Sequence, residues 1–492
     1  MTVCRWLPTI GLEIHVELDT RTKMFCACPR AALTATPNRA TCPVCLGLPG
    51  ALPVVNAEAV RLAVRGALAL GATITPAGWF ARKNYFYPDL VKGYQISQGT
   101  EPLGSGGSVV LPDGARVPLR RVHLEEDTAR LLATGSAERI GVDCNRSGAP
   151  LLEVVTEPAV HSAAVAEAYA RTVRALLVHL CVTRGRIEHG ELRVEANVSV
   201  APAGATELGV RVEIKNQAGF AHMRAAVEFE IARQIAVLEA GGAVCQETRG
   251  WNPARGLSGE TFVQRTKEDA HDYRYFPEPD LPAFRLPAAW LREERARVDG
   301  PDGTPALFVA RMEQAGVRTE TREAVFAHDA AGFVRQLESA LSELPSASRM
   351  ESPLAAAANG FARFVIPALN AAGQDMADSS LTVDALVAVL AWLTDGRVAP
   401  DGARCMVARL ATDGGDPETV GREIKAFLVA DDSTVIDTAV EATLAEHADW
   451  VAEWRAGKIA LRHALLGTVM KRLGHGHDAR RVALALDQFL SR

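Results

Sequence analysis

The chain has 492 residues, with 53 Lys and Arg against 59 Asp and Glu, a formal net charge of −6 and 48% hydrophobic residues. That length predicts two or three domains with sizeable cores, and the composition excludes a disordered, fibrous or uniformly basic protein. The opening MTVCRWLPTIGLEIHVELD has no long apolar stretch of the signal-peptide kind, and no apolar run reaches membrane-spanning length. A cytoplasmic protein without membrane attachment is expected.

In chain order, the first predicted element is a strand at 10–19. Ile10, Leu12, Ile14, Val16 and Leu18 point one way, and Glu13, His15 and Glu17 the other. Four cysteines follow, Cys26, Cys28, Cys42 and Cys45, in two close pairs. Helical periodicity marks 56–71, 161–180 and 220–239. GSGGS at 104–108 reads as a loop tip and lacks the GK[ST] of a phosphate loop. Further alternating runs lie at 117–125, where His123 and Glu125 share a face, at 192–200, and at 209–215. In the last two, Leu192, Val194, Ala196, Val198 and Val200, then Val210, Val212 and Ile214, are the packing residues. Glu191, Arg193, Glu195, Asn197, Ser199, Arg211, Glu213 and Lys215 face the other way. From about 300 onward Ala, Leu, Val and Glu dominate and strand alternation stops. The expected architecture is an α+β cradle around an antiparallel sheet at 1–295, a helical linker domain at 296–400 and a small helical domain at 401–492.

Placed on one sheet, Glu13, His15, Glu125, Glu195 and Glu213 would converge. Carboxylates held that close repel unless a divalent cation lies among them, which suits Mg²⁺ and phosphoryl transfer. The same pattern also fits amphipathic strands with one face in water. The cysteine quartet suits a tetrahedral, closed and therefore structural Zn²⁺, against the alternative of reduced core thiols. Arg82, Lys83, Lys92 and Arg274 interleave with Tyr85, Tyr87, Tyr273 and Tyr275, either to meet phosphates and bases or to pack. Residues 451–492 hold eight basic residues against three acids. They form either a solvated helix face or a nucleic-acid contact.

These segments resemble a known family, the B subunits of the glutamyl/aspartyl-tRNA amidotransferases. The matching stretches are IGLEIHVEL, KMFCACP, TCPVCLGLPGALPVVN, ARKNYFYPDL, KGYQISQ, HLEED, NRSGAPLLEVVTEP, ANVSV, VEIKN, QETR and KEDAHDYRYFPEPDLP, in order over about 270 residues. EWRAGKIALRHALLGTVMK resembles the family's YqeY-type helical tail. The resemblance implies a glutamine-synthetase-like cradle that uses ATP to phosphorylate the side-chain carboxylate of Glu on tRNA-Gln or Asp on tRNA-Asn. Ammonia from a glutaminase partner, the A subunit, then gives the amide, and a small C subunit holds the pair. Carried over, Glu13, His15, Glu125, Glu126, Glu195 and Glu213 would hold magnesium and the ATP phosphates, with Glu13, His15, Glu125 and Glu213 catalytic. Lys83, Tyr85, Lys92 and Arg274 would contact nucleotide or substrate. Arg455, Lys458, Arg462, Lys471 and Arg472 would contact the tRNA.

The chain also departs from the family pattern. His189 and Glu195 stand where a Glu and an Asp are usual, Val91 replaces a Pro, and Thr128, Ala129 and Arg130 replace Ala-Gly-Lys. In the linker the family's ANWVMGEL-like segment becomes ANGFARFVIPALN at 358–370. Two other readings therefore stand beside transamidation in translation. One is a paralogue acting on another aminoacyl-tRNA or carboxylate in a biosynthetic pathway. The other is a tRNA-binding scaffold without catalysis, which would show eroded acidic faces.

Overall fold

The computed structural model describes residues 5–30, 35–135, 138–252, 259–266, 272–344, 352–428, 433–474 and 477–491. They fall in two compact units, Met1–Phe308 and Val309–Arg492.

The first unit is built on a large sheet with thirteen strands among the described residues. Its main path runs, in spatial order, through Glu260–Thr266, Glu247–Asn252, Val212–Lys215, Leu192–Pro202, Trp6–Glu17, Pro150–Thr156, Arg116–Glu126, Tyr94–Ser97, Ala81–Asn84 and Phe276–Pro277. Neighbours on this path are antiparallel except for Val212–Lys215 beside Glu247–Asn252. Ile10, Leu12, Ile14, Val16 and Leu18 are each at most 1% exposed. They face helices Ala57–Ala69, Ala163–His179 and Phe220–Glu239, whose apolar stripes supply Leu62, Val64, Tyr169, Val173, Leu177, Met223 and Val227 to the same core. Burying each large side chain of this kind contributes about 1.5–3 kcal/mol. The opposite face of the central strands carries the polar set.

The first helix starts at Asn56, whose side chain accepts from the backbone N–H groups of Glu58 and Ala59. A fourth helix, Ala288–Val298, is tied to it by fully buried Glu294, which accepts from Arg61 and Arg65. Two expectations need adjusting. The strand read at 209–215 is Val212–Lys215, since its ladder begins at Val198↔Val212. Val210 lies beyond that ladder and is 45% exposed, so it does not pack. GSGGS is not a loop tip: short strands Gly104–Ser105 and Ser108–Val110 both pair with Arg116–Glu126, and Gly106 and Gly107, at positive φ, interrupt that edge as a bulge.

Described secondary structure in the second unit is helical. At ANGFARFVIPALN the chain forms a π turn, Phe361–Val365, before helix Ile366–Ala372. Pro367 has no N–H and its ring crowds the carbonyl four residues back, so the wider turn relieves a conflict that a regular helix would carry. A separate core of Ile436, Val440, Leu465, Val469, Val482, Leu486 and Leu490 closes the tail helices on one another. No described helix is long and apolar enough to cross a membrane.

Candidate functional site

The polar face of the central strands lines a cavity of about 560 Å³. Register explains its contents. Across the sheet, His15 lies opposite Arg193 on one side and Glu153 on the other, and Glu153 lies opposite His123. One step along, Glu13 lies opposite Glu195 and Val155. Asn197 pairs with Glu213, and Leu151 with Glu125. Strands about 4.8 Å apart therefore bring side chains from five strands onto one floor. Glu13, His15, Glu125, Glu195 and Glu213 all line it.

His15 Nε2 is 3.5 Å from both Glu125 Oε1 and Glu153 Oε2, and His123 Nε2 is 3.4 Å from Glu153 Oε2. One ligand atom each from His15, Glu125 and Glu153 lies within 4.8 Å of the others, a set able to hold a hard divalent cation. Their electrostatics fit that role. Burial and the neighbouring Glu153 push Glu125 up to about 7. Burial alone would lower His15, but its hydrogen bond to Glu153 and the surrounding carboxylates raise it to about 9. Glu13 is raised by burial and by Glu153 and Glu195. Burial opposes ionisation of Glu153, yet His123, His15 and Lys83 hold it well below the usual range. Burial lowers His123 to about 4. Burial and the crowding of carboxylates thus keep protons on Glu125, Glu13 and His15, protons that a bound cation would have to displace.

The surroundings fix the floor. Asn197 Nδ2 donates to Glu13 at 3.1 Å. Lys215 Nζ lies 2.6 Å from Glu195 and 3.3 Å from Glu213. The buried Thr248 hydroxyl donates to the other Glu213 oxygen at 2.8 Å. Arg193 grips Asp127 through two bonds of 2.9 and 3.1 Å, and burial notwithstanding, Arg193 and Arg146 keep Asp127 below the usual range. Lys83 Nζ sits over the rings of Tyr273 and Tyr85 at 5.1 and 5.9 Å. Burial alone would lower its ammonium, but the fields of Glu125, Tyr275 and Glu153 raise it.

Three expected members are not in the cavity lining. Glu126 follows Glu125 on one strand, so the two-residue period turns it to the opposite face. There it pairs with Lys92 and accepts from the Ile96 N–H at 3.0 Å, which removes Glu126 and Lys92 together from the floor. Arg274 is exposed at φ +45, with its backbone anchored by Asn84 and Asp272. Glu153 is a floor residue that the alternating patterns missed. Thr248 was likewise missed, although its QETR stretch is visible in the sequence.

The cysteine quartet lies in a loop-rich segment before the first helix. Its four sulfurs are within 4.8 Å of one another, and Cys42 and Cys45 are 3.9 Å apart. Tetrahedral Zn–S bonds of about 2.3 Å require sulfurs about 3.8 Å apart, so the set fits a closed metal centre. Cys45 is drawn down to about 4, first by its hydrogen bond with Cys26, with help from the Cys42 backbone and Lys23. In the tail, Arg462 pairs with Asp487, Lys458 with Glu453, and Arg472 with Glu446. Arg455 and Lys471 are exposed, with no ion pair among the described residues.

Comparison with known proteins matches this architecture. Residues 8–292 match the family model of the GatB/GatE catalytic domain, and residues 346–490 match that of the GatB domain. An aspartyl/glutamyl-tRNA(Asn/Gln) amidotransferase B subunit from Anaeromyxobacter sp. (strain Fw109-5) is 40% identical over 484 residues, 97% of this chain and 98% of its own. Proteins of the same name from Rhodococcus jostii (strain RHA1) and Halorhodospira halophila (strain DSM 244 / SL1) are 41% and 40% identical. The first alignment covers 98% of this chain and 95% of the relative, and the second 96% of each. The chain belongs to this family of amidotransferase B subunits, components of a glutamine-dependent carbon–nitrogen ligase.

Proposed function

We propose that this chain uses ATP to activate the side-chain carboxylate of Glu on tRNA-Gln, Asp on tRNA-Asn, or both, and that the activated acyl group is converted to the amide. A carboxylate oxygen attacks the γ-phosphorus and ADP leaves; ammonia then attacks the acyl carbon and phosphate leaves. The convergence of His15, Glu125 and Glu153 with Glu13, Glu195 and Glu213 in one cavity carries this reading. Magnesium, held by His15, Glu125 and Glu153, would neutralise charge developing on the transferred phosphoryl group. Lys83 and Lys215, at two edges of the floor, supply positive charge for phosphate oxygens. Asn197 and Thr248 hold the orientations of Glu13 and Glu213. Tyr85 and Tyr273 wall the approach beside Lys83.

The relatives are named as B subunits, which supports an assembly with a glutaminase (the A subunit) that supplies ammonia and with a small C subunit. The helical tail, with Arg455 and Lys471 free of ion pairs among the described residues, is the proposed contact for the tRNA body. One observation keeps a specialised aminoacyl substrate in play: Glu195 reaches Lys215 at 2.6 Å, engaging a floor cation where the family pattern has a shorter acid.

The test reconstitutes the chain with the A and C subunits, ATP, Mg²⁺, glutamine and each mischarged tRNA. Substrate-dependent ADP release and amide formation are expected with at least one of them. ATP and metal binding without amide on either tRNA would overturn the translational reading and leave the specialised one.

A further inference from the structure

Lys23 is 0% exposed, among the largest side chains wholly inside the first unit. Its Nζ lies 3.5 Å from Cys45 Sγ and 3.3 Å from the Cys144 carbonyl. Among the described residues, no carboxylate forms an ion pair with it. Burying an ammonium without a counter-charge is strongly unfavourable. Gly148 closes over the same spot, where an added Cβ would come within 3.5 Å of Cys45 Cβ and 3.6 Å of Lys23 Cδ. Cys45 Sγ also accepts the Cys42 backbone N–H at 3.2 Å. Two donors thus converge on one sulfur. Four neutral thiols would give Lys23 no counter-charge and a lone Cys45 thiolate would give it one, whereas four thiolates around a divalent cation leave a net double negative charge beside it.

We propose that Lys23 is the charge partner of the metal in the cysteine quartet. Its ammonium offsets part of the tetrathiolate charge through Cys45. Its second bond, to the Cys144 carbonyl, fastens the metal loop to the turn that leads into the Glu153 strand. The Ser147 hydroxyl, donating to the Cys45 carbonyl at 3.1 Å, and the Met24 N–H, donating to the Gly148 carbonyl at 2.8 Å, complete that fastening. The inference rests on reading the quartet as a zinc site.

The experiment uses the full chain with Lys23→Met, which keeps the length and apolar stem but removes the charge, and Lys23→Arg, which keeps the charge. Zinc release to a chelator, the sulfur-to-metal charge-transfer band of the Co²⁺-loaded protein and the melting of loaded and stripped forms are measured. Lys23→Met should release zinc about tenfold faster and shift the cobalt band. Its loaded form should melt lower, and by more than its stripped form does, since the stripped quartet carries less negative charge for Lys23 to offset. Lys23→Arg should release zinc more slowly than Lys23→Met. If Lys23→Met does not fold, Lys23→Gln takes its place with the same expectations. Wild-type release from the uncharged variant, or equal destabilisation of both forms, would overturn the proposal and leave Lys23 a packing residue. A wild-type chain that takes up neither zinc nor cobalt would instead overturn the zinc reading itself.

Discussion

In the cysteine quartet, four like ligands come from one short segment, and a wholly buried lysine stands against Cys45. In the acidic basin, ligands of mixed kind come from separate strands. There Lys215 is engaged by Glu195 and Arg193 by Asp127, and His15 sits between Glu125 and Glu153. Four thiolates on one zinc would leave the quartet no open position, while the basin opens on a cavity large enough for a substrate. A centre whose charge the protein itself offsets in part is suited to holding structure. A centre where burial and crowded carboxylates keep protons, with Glu125 pushed to about 7 and His15 to about 9, is suited to exchanging those protons for a cation from outside.

Substitutions can break this contrast. The largest effect is expected from Glu153→Gln, which removes the acid joining His15 to His123. Amide formation should fall by about 100-fold or more while tRNA binding stays intact. Activity within a few-fold of wild type would remove Glu153 from the reaction. Next is a neighbouring pair on one strand. Glu125→Gln should abolish the ATP-dependent step with little loss of fold. Glu126→Gln should spare Mn²⁺ binding in the basin yet cost about 3–5 kcal/mol in urea denaturation, because Lys92 is left buried without its partner. Equivalent phenotypes for the two would deny the alternation that separates their faces. Cys42→Ser should lose zinc and lower the first unit's melting point by about 3 °C, the equivalent of about 2 kcal/mol. Full zinc content at an unchanged midpoint would open the supposedly closed centre. The smallest effect is expected for Thr248→Val, which frees one Glu213 oxygen. The ATP-dependent rate should drop about three- to tenfold with melting nearly unchanged, and a large fall in melting would recast Thr248 as a purely structural residue.

Much of this molecule is legible in its sequence where one face is buried and the other is not. The first strand announces itself through Ile10 to Leu18, and the helices at Ala57–Ala69, Ala163–His179 and Phe220–Glu239 through their apolar stripes. Glu153 escaped because its strand, PLLEVVT, is buried along its whole length and so shows no alternation. Its acid looks like an interruption of an apolar run. Thr248 escaped for another reason. Its role depends on a parallel neighbour, Glu213↔Thr248, and nothing local encodes which strands become neighbours. Glu126 and Lys92 were misplaced because the family motif brings Glu125 and Glu126 together as one string, whereas the strand sends them to opposite faces. Lys23 lay unmarked because a lysine beside cysteines looks no different from a surface lysine until its burial is known.

The pairing of the first strand also limits how this gene can change length. Glu13 and His15 reach the floor because both sit on odd positions of one continuous ladder running from Trp6↔Pro202 to Val16↔Leu192. Deleting one residue upstream within the strand and preserving the remaining pairs exchanges their sides, carrying Ile14 and Leu12 into the cavity and the acids into the helices' core. Deleting two shifts the set by one row and keeps its sides. Viable insertions and deletions in this strand should therefore come in pairs. A library of one-codon and two-codon deletions would read out this rule, with the single deletions dead and the paired ones living.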